Sequence, residues 1–96
     1  MNMFSIFSAT LAKPTTQVEE ALYLLIKKGR MTRKDFFMET FILNAPMTIL
    51  KLRRKGVNIV TDEIKKVNKF GRNIEYGSYR LLDKKEAIKI YKKLQK

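Results

Sequence analysis

The stretch LKLRRKGVNIV, from Leu50 to Val60, changes its pattern at Gly56. Before Gly56, apolar and basic residues alternate as they do on the surface of a helix. After Gly56 comes a β-branched run, which is typical of a strand. Since glycine commonly ends helices, the stretch predicts a helix that stops at Gly56 and is followed at once by a strand. Four basic residues lie close to that stop: Lys51, Arg53, Arg54 and Lys55.

The same helix has a clear start. Asn44 is a favourable N-cap, and Pro46 is tolerated only in the first turn, so the helix is expected to run from Ala45 to Lys55. At 100° per residue, one face carries apolar side chains and has Arg53 at its margin: Ala45, Ile49 and Leu52. The opposite face is expected to present Met47, Lys51 and Arg54, flanked by Thr48, Leu50 and Lys55. Arg53 is interpreted as an ion-pair residue with Asp35 or Glu39 as its partner.

Two helices are predicted upstream. The segment PTTQVEEALYLLIKKG has capping-box spacing at Thr16 and Glu19, an apolar stripe that includes Val18 and Leu25, and Gly29 as its end. The segment MTRKDFFMET, residues 31–40, repeats the cap more briefly, with Thr32 as N-cap and an acidic residue three positions on. Its two phenylalanines are expected to place at least one ring in the core.

Downstream, two strand-like runs cover residues 57–64 and 74–82. Between them lie turn formers and cations, which predicts an antiparallel hairpin with a long basic tip over residues 65–73. Gly77 is expected to mark a bulge or bend. Phe70, at the tip, could wedge into a nucleic-acid groove, but we expect its ring to fold back on the sheet.

The chain closes with a helix predicted over residues 83–96, begun by Asp83 and Glu86 and carrying an apolar stripe that includes Ala87 and Tyr91. Its other face is nearly all lysine, and the stripe can be buried either on the first helix or against a second copy of the chain. Residues 1–13 are expected to form a flexible arm or an added strand.

The order helix, helix, helix, hairpin, helix predicts an α+β fold of the winged helix-turn-helix type over residues 14–96. In that plan two helices support a third, which enters the major groove of DNA, and the hairpin forms a wing that touches the neighbouring backbone or minor groove. The chain of 96 residues is long enough for one small domain.

Composition narrows the function. The formal net charge is +12, which favours a polyanionic partner because such a charge costs stability through self-repulsion. The chain has no Cys and no His, so we expect neither an enzyme nor a metal or cofactor site. No run reaches the roughly 18 apolar residues of a membrane span, and the N-terminus lacks the basic start of a signal peptide, so we expect no membrane partner and a cytoplasmic location.

One motif carries a family resemblance. The residues Ile49, Leu52, Arg53, Gly56 and Ile59 follow the pattern Ile-x-x-Leu-Arg-x-x-Gly-x-x-Ile, and a Tyr-x-Leu follows at Tyr79 and Leu81. Over residues 15–82 the chain resembles small winged helix-turn-helix domains common in bacteriophages and mobile elements. The resemblance implies a small phage or mobile-element transcriptional regulator in a bacterial cell. The chain departs from the family pattern at Thr48 and Lys51, so base contacts do not transfer.

The leading hypothesis is a protein that reads duplex DNA with the helix 45–55 and a basic wing 61–75. The expected contact residues are Thr48, Lys51, Arg54, Lys55, Lys65, Lys66, Lys69 and Arg72. Two alternatives stay open: a protein-interaction module that docks on an acidic host protein, such as a phage-encoded inhibitor or adaptor, and an RNA-binding protein. A monomer and a homodimer are both compatible with the sequence.

Overall fold

The computed structural model describes residues 11–95 and has an α+β fold with four helices and one three-stranded antiparallel sheet. In chain order the elements are α1 (Gln17–Lys28), β1 (Arg30–Thr32), α2 (Arg33–Thr40), α3 (Ala45–Arg54), β2 (Ile59–Val67), β3 (Asn73–Leu81) and α4 (Lys84–Leu94). This layout is compatible with a winged helix. All the predicted helices and both long strands are present, and β1 is an addition to the predicted order.

The helix starts are set by short polar side chains, as the sequence indicates. In α1 the Thr16 hydroxyl accepts a hydrogen bond from the Glu19 amide at 3.1 Å. The Glu19 carboxylate does not close the predicted capping box and instead accepts from the Thr16 hydroxyl at 2.9 Å and from the Gln95 amide at 3.0 Å. The box is complete in α2, where Thr32 and Asp35 cap each other's backbone amides at 2.9 and 3.1 Å.

The start and end of α3 also follow the prediction. The Asn44 side chain accepts from the Met47 amide at 3.2 Å, and a proline lies in the first turn. The helix ends at Arg54 with Lys55 as its cap, and Gly56 then takes a φ of +98°. This positive φ favours glycine because a Cβ would be strained there. The helix end predicted at Gly56 is therefore confirmed, whereas the strand does not follow at once: β2 begins at Ile59, two residues later than predicted.

The sheet has the strand order β1-β3-β2, with β3 in the centre. Strands β2 and β3 pair without interruption from Ile59 opposite Leu81 to Val67 opposite Asn73. Of the bulge or bend expected at Gly77, the bulge is wrong, since Gly77 pairs in register with Glu63. Its lack of a side chain has another use: a Cβ there would lie 3.1 Å from the Thr61 methyl group.

The strand β1 has only three residues and was not predicted. It pairs with β3 over Ser78–Arg80, at the end of the hairpin nearest the helices. Of its residues, Met31 is buried and the flanking Arg30 is exposed. A run this short, between two capped helices, has too few positions for a period-of-two pattern to stand out.

The last helix packs on the first. Ala87, Ile88, Ile90 and Tyr91 are buried, and the rings of Tyr91 and Tyr23 lie 5.9 Å apart. Of the two alternatives for the apolar stripe of α4, burial on α1 within one chain is confirmed. The predicted bounds 83–96 shorten to Lys84–Leu94, with Asp83 as the N-cap.

Residues 11–13 lie alongside α4. The Tyr91 hydroxyl donates to the carbonyl oxygen of Ala12 at 2.5 Å, and the Gln95 amide donates to that of Lys13 at 3.0 Å. These residues have no regular secondary structure, so they do not form an added strand. The rest of the predicted arm, residues 1–10, lies outside the described residues.

One hydrophobic core joins these elements. The largest fully buried apolar side chains come from every helix, from β1 and from the turn between α2 and α3: Leu22, Leu25, Met31, Phe36, Ile42, Ile49, Leu52 and Tyr91. Tyr79 brings β3 into the same core, with its ring 6.2 Å from that of Phe36. The prediction that one phenylalanine of α2 lies in the core is confirmed by Phe36, while Phe37 is 39% exposed.

Candidate nucleic-acid interface

The exposed face of α3 is half apolar and half basic. Met47, Leu50, Lys51 and Arg54 all lie in exposed positions, at the i, i+3, i+4, i+7 spacing of one helix face. The apolar pair lies nearer the start of the helix and the cations nearer its end. Such a face can approach both phosphates and base edges.

Thr48 does not belong to this face, contrary to the sequence-based expectation. It is 6% exposed, and its hydroxyl donates to the carbonyl oxygen of Asn44 at 3.2 Å. Because its hydroxyl is hydrogen-bonded to the preceding turn, Thr48 can be buried beside Ile49. The polar character of threonine therefore did not predict this burial. Thr48 is therefore removed from the contact set.

The cations of α3 have no acidic residue close to them in the sequence. The sequence has no Asp or Glu between Glu39 and Asp62. Among residues 11–95, Lys51, Arg54 and Lys55 form no ion pair. Because three cations repel one another without compensation, they are available to an anionic partner.

Arg53 joins α3 to the hairpin. Its guanidinium donates from Nε and Nη2 to the carbonyl oxygen of Ile59, at 3.1 and 2.9 Å, and from Nη2 to the Thr61 hydroxyl at 3.0 Å. The expected ion pair with Asp35 or Glu39 is wrong: Asp35 caps α2, and Glu39 pairs with Lys28 at 2.6 Å. Arg53 is instead a structural residue that fixes α3 against the first residues of β2.

The hairpin extends beyond the third strand. Because β1 pairs only with Ser78–Arg80, the outer parts of β2 and β3 form a two-stranded arm. The tip is shorter than predicted: β2 continues to Val67 and β3 begins at Asn73, so only residues 68–72 form the turn. Lys65 and Lys66 thus lie in a strand. The sequence predicts a loop at these two lysines because charged residues weaken a strand prediction.

Strand geometry separates those two lysines. Side chains alternate between the faces of a sheet, so Lys65 lies on the same face as Thr61, the residue that Arg53 of α3 contacts. Lys66 lies on the opposite face, where its Nζ is 5.9 Å from the ring centroid of Tyr76. Lys66 and Tyr76 line a groove of about 560 Å³ with residues 32–35 at the start of α2. The expected wing residues therefore do not form one surface.

The face of the hairpin on the side of α3 also carries two carboxylates. Glu63 and Glu75 lie on this face together with Lys65, which is 4.0 Å from Glu75. A hydrogen bond and the charge of Glu63 raise the pKa of Glu75 above its ordinary value of 4.5. This acidic pair, which sequence reasoning passed over, would oppose an anionic partner near the middle of the arm.

The base of the hairpin is held by a second charged cluster on the other face. Asp62 accepts from Arg80 Nε at 2.7 Å and from Arg30 Nη1 at 2.9 Å. The hydrogen bond from Arg80, and then the charges of the two arginines, lower the pKa of Asp62. The three strands are thus joined by side chains as well as by their backbone.

At the tip, Lys69 and Arg72 are exposed, as expected of phosphate contacts. Phe70 is not folded back on the sheet: it is 85% exposed, and the Nζ of Lys69 lies 5.2 Å from its ring centroid. The expectation for Phe70 is therefore wrong.

A further surface was missed altogether. Large apolar side chains are exposed from α2 to the start of α3: Phe37, Met38, Phe41, Leu43 and Met47. The rings of Phe37 and Phe41 lie 4.8 Å apart. A run of apolar residues reads as core in a sequence, and periodicity in an eight-residue helix is too short to show which of them face outward.

Two specific features are absent from residues 11–95. No helix there is long and apolar enough to cross a membrane. The same residues contain no cluster of three or more His, Cys, Asp or Glu side chains suited to a metal ion.

Comparison of the chain with known protein families, with curated proteins and with solved structures finds no match in any of the three. The motif resemblance to small winged helix-turn-helix domains stays a prediction.

Proposed function

We propose that the protein binds duplex DNA as a winged helix-turn-helix, with α3 in the major groove and the hairpin of β2 and β3 as its wing. The observation that carries this proposal is the exposed, unpaired cationic half of α3, fixed by Arg53 to the base of a projecting hairpin. In this assignment Lys51 and Arg54 contact phosphates and base edges, and Lys69 and Arg72 contact the backbone beside the wing. A role in controlling phage or mobile-element genes is part of the proposal.

The connection between α2 and α3 supports the helix-turn-helix assignment. Four residues separate the two helices, a length that such turns commonly have. The first of them, Phe41, adopts the left-handed conformation with φ of 61°, the kind of position that usually holds glycine. The backbone of this turn thus supports the proposal although its residue type is unusual.

The test is duplex binding over a salt series, with wild-type protein beside the variants K51E/R54E and K89E/K92E. Both variants change the net charge equally and reverse cations three positions apart on an exposed helix face. We expect K51E/R54E to weaken binding by at least about 30-fold and to lower the salt slope by about 2, because each phosphate contact contributes about 0.9 to that slope.

The control K89E/K92E separates local contact from general attraction. Its exchanges lie in α4, so we expect it to retain most of the wild-type affinity. An equal loss in both variants would mean that only the net charge attracts DNA, and the proposal would fail. Structured RNA that binds far more tightly than duplex DNA at the same salt would select the RNA-binding alternative.

The exposed apolar residues favour a second candidate function, a docking surface for an acidic protein. Phe37, Met38 and Phe41 leave apolar area in water that a partner could cover, and the surrounding chain is strongly basic. Capture of one acidic protein from nuclease-treated lysate by wild type, but not by M38D/F41D, supports this candidate. Equal capture by both would exclude this surface.

A further inference from the structure

The turn at the end of the hairpin is rigidly built. The Asn68 side chain accepts hydrogen bonds from the amides of Phe70 at 2.9 Å and Arg72 at 3.0 Å. The backbone amide of Asn68 donates to the carbonyl oxygen of Arg72 at 2.9 Å, and the backbone carbonyl of Asn68 accepts from the Gly71 amide at 3.0 Å. Gly71 takes a φ of +86°, which closes the turn. The tip is therefore pre-organised and needs no folding on contact with a partner.

This rigid turn holds an aromatic ring away from the core. At 85% exposure, Phe70 is the most exposed large apolar side chain of the described residues. Its neighbour in the turn, Lys69, approaches the ring to 5.2 Å from the centroid, and no ring contact joins Phe70 to another aromatic residue of the described chain. The ring thus leaves its apolar area in water unless a partner covers it.

The charges around the ring restrict that partner. Three cations, Lys66, Lys69 and Arg72, lie nearer the tip of the arm than the carboxylates Glu63 and Glu75. A fourth cation, Lys65, lies directly opposite Glu75. A partner must therefore offer an apolar slot bordered by anionic groups. The space between two stacked base pairs, bordered by the two phosphate strands, has this chemistry.

We propose that Phe70 is a wedge that enters a base step of the duplex from the minor groove and partly unstacks it. This inference rests on the proposed function, since α3 must hold the duplex beside the arm. The cations of the tip bind the phosphates on either side of the step. The ring therefore enters the duplex at a fixed distance from α3. Pyrimidine–purine steps unstack most easily, so the wing is expected to prefer a TA or CA/TG step at its position.

The experiment measures unwinding of closed circular DNA. The full chain is bound to plasmid, topoisomerase relaxes the plasmid, and the topoisomers are separated after the protein is removed. We expect the wild type and F70W to shift the topoisomer distribution, and F70A to lose the shift. Because F70A removes no charge, its duplex affinity should fall by no more than about tenfold and its salt slope should not change.

A matched control is L82A, which removes an exposed apolar side chain outside the tip; Leu82 is 62% exposed. L82A should unwind DNA like the wild type. Unwinding by F70A equal to the wild type would overturn the inference. The inference would also fail if F70A lost binding to phosphatidylglycerol vesicles while its binding and unwinding of DNA stayed unchanged. The ring would then contact a lipid surface.

The two proposals fail in different ways. If the wild type binds duplex DNA but does not unwind it, the wedge is wrong and the DNA-binding proposal stands. If the wild type shows no duplex binding beyond the general attraction seen for K51E/R54E, the proposed function fails, and the wedge fails with it.

Discussion

Arg53 and Ile59 are joined by a forked hydrogen bond, in which the guanidinium holds the carbonyl oxygen of Ile59 at 3.1 and 2.9 Å. The contact links the last turn of α3 to the first residue of β2, across the four-residue link that contains Gly56. The direction in which the hairpin leaves the helices is therefore fixed by a side chain as well as by the short link.

We expect R53K to lower the free energy of unfolding by about 1 kcal/mol, because lysine keeps the charge but cannot form the fork. Urea unfolding measures the change as a fall in the midpoint at constant m-value. Binding should weaken with little change in salt slope, since no charge is lost. R53K as stable as the wild type, and as good a binder, would show that the fork does not position the hairpin.

Protonation of the hairpin should change DNA binding. Glu63 raises the pKa of Glu75, so Glu75 takes up a proton at a higher pH than an isolated glutamate does. As the pH falls through this raised pKa, the arm loses a negative charge that repels phosphates. Duplex affinity should therefore rise as the pH is lowered from 8 towards 4, and the absence of histidine from the chain removes the usual competing cause.

The variant E75Q should bind severalfold more tightly than the wild type at pH 8 and should have a flatter pH dependence. E20Q, which removes one acidic charge from α1, is the matched control and should keep the wild-type dependence. Fluorescence anisotropy with a labelled duplex at constant ionic strength measures both. An E75Q profile parallel to that of the wild type would contradict the placement of this carboxylate near the DNA.

The cluster at the base of the hairpin should make stability sensitive to acid. Arg80, and then Arg30, lower the pKa of Asp62, so the folded state favours the ionised carboxylate. A lowered pKa stabilises the fold above the ordinary value of 3.8, and this stabilisation is lost as the pH falls through the lowered pKa. At pH 7 the variant D62N should unfold at lower urea than the wild type, and the difference should shrink at the acid end. A constant difference from pH 7 to pH 2 would rule out this linkage.

Much of the fold could be predicted because its signals are local. Capping residues such as Thr32, Asn44 and Asp83 lie beside the amides they satisfy, so the helix starts can be read from a few neighbouring residues. The hairpin follows from two β-branched and aromatic runs around a turn. The strand β1 could not be predicted, because three residues become a strand only through pairing with Ser78–Arg80, far along the chain.

The candidate site was predicted less well, for reasons that apply to single residues. A helical projection places Thr48 near the exposed face, but packing in three dimensions buries it. The hydrogen bonds from the Arg53 guanidinium to a backbone carbonyl could not be predicted from the sequence, because every residue has such an oxygen. The Phe70 ring was expected to pack on the sheet, but the hydrogen bonds of Asn68 hold the turn away from the sheet.

The left-handed turn after α2 should reverse the usual ranking of glycine and alanine. Phe41 has a φ of 61°, a conformation that costs a residue with a Cβ about 1–2 kcal/mol. F41A should be destabilising, because it keeps that cost and loses the ring contact with Phe37 at 4.8 Å. F41G should be more stable than F41A by about 1 kcal/mol.

Lys34, exposed within α2, provides the comparison for that ranking. There the order should be the ordinary one, with K34G less stable than K34A by up to about 1 kcal/mol, the cost of glycine in a helix interior. Thermal or urea unfolding of the four variants measures both differences. F41A equal to or more stable than F41G would show that the turn carries no such cost.

The buried hydroxyl of Tyr91 should limit stability in alkali. Burial, followed by the charge of Glu19, raises the pKa of Tyr91 to about 12. A raised pKa stabilises the fold fully below the unfolded value of about 10, and the stabilisation is lost as the pH rises through the folded value. Two pKa units correspond to about 3 kcal/mol, so the urea midpoint should fall steeply between pH 10 and pH 12.

Y91F isolates this contribution from the titration of the lysines, which both proteins share. At pH 8 the variant should be about 1 kcal/mol less stable, because it loses the hydrogen bond to the carbonyl oxygen of Ala12. Above pH 10 the wild type loses the stabilisation that comes from the raised pKa of Tyr91, whereas Y91F has no phenol to ionise. The two urea midpoints should therefore converge and then cross. Midpoints that stay parallel up to pH 12 would mean that the phenol ionises without cost, and that residues 11–13 do not seal it from water.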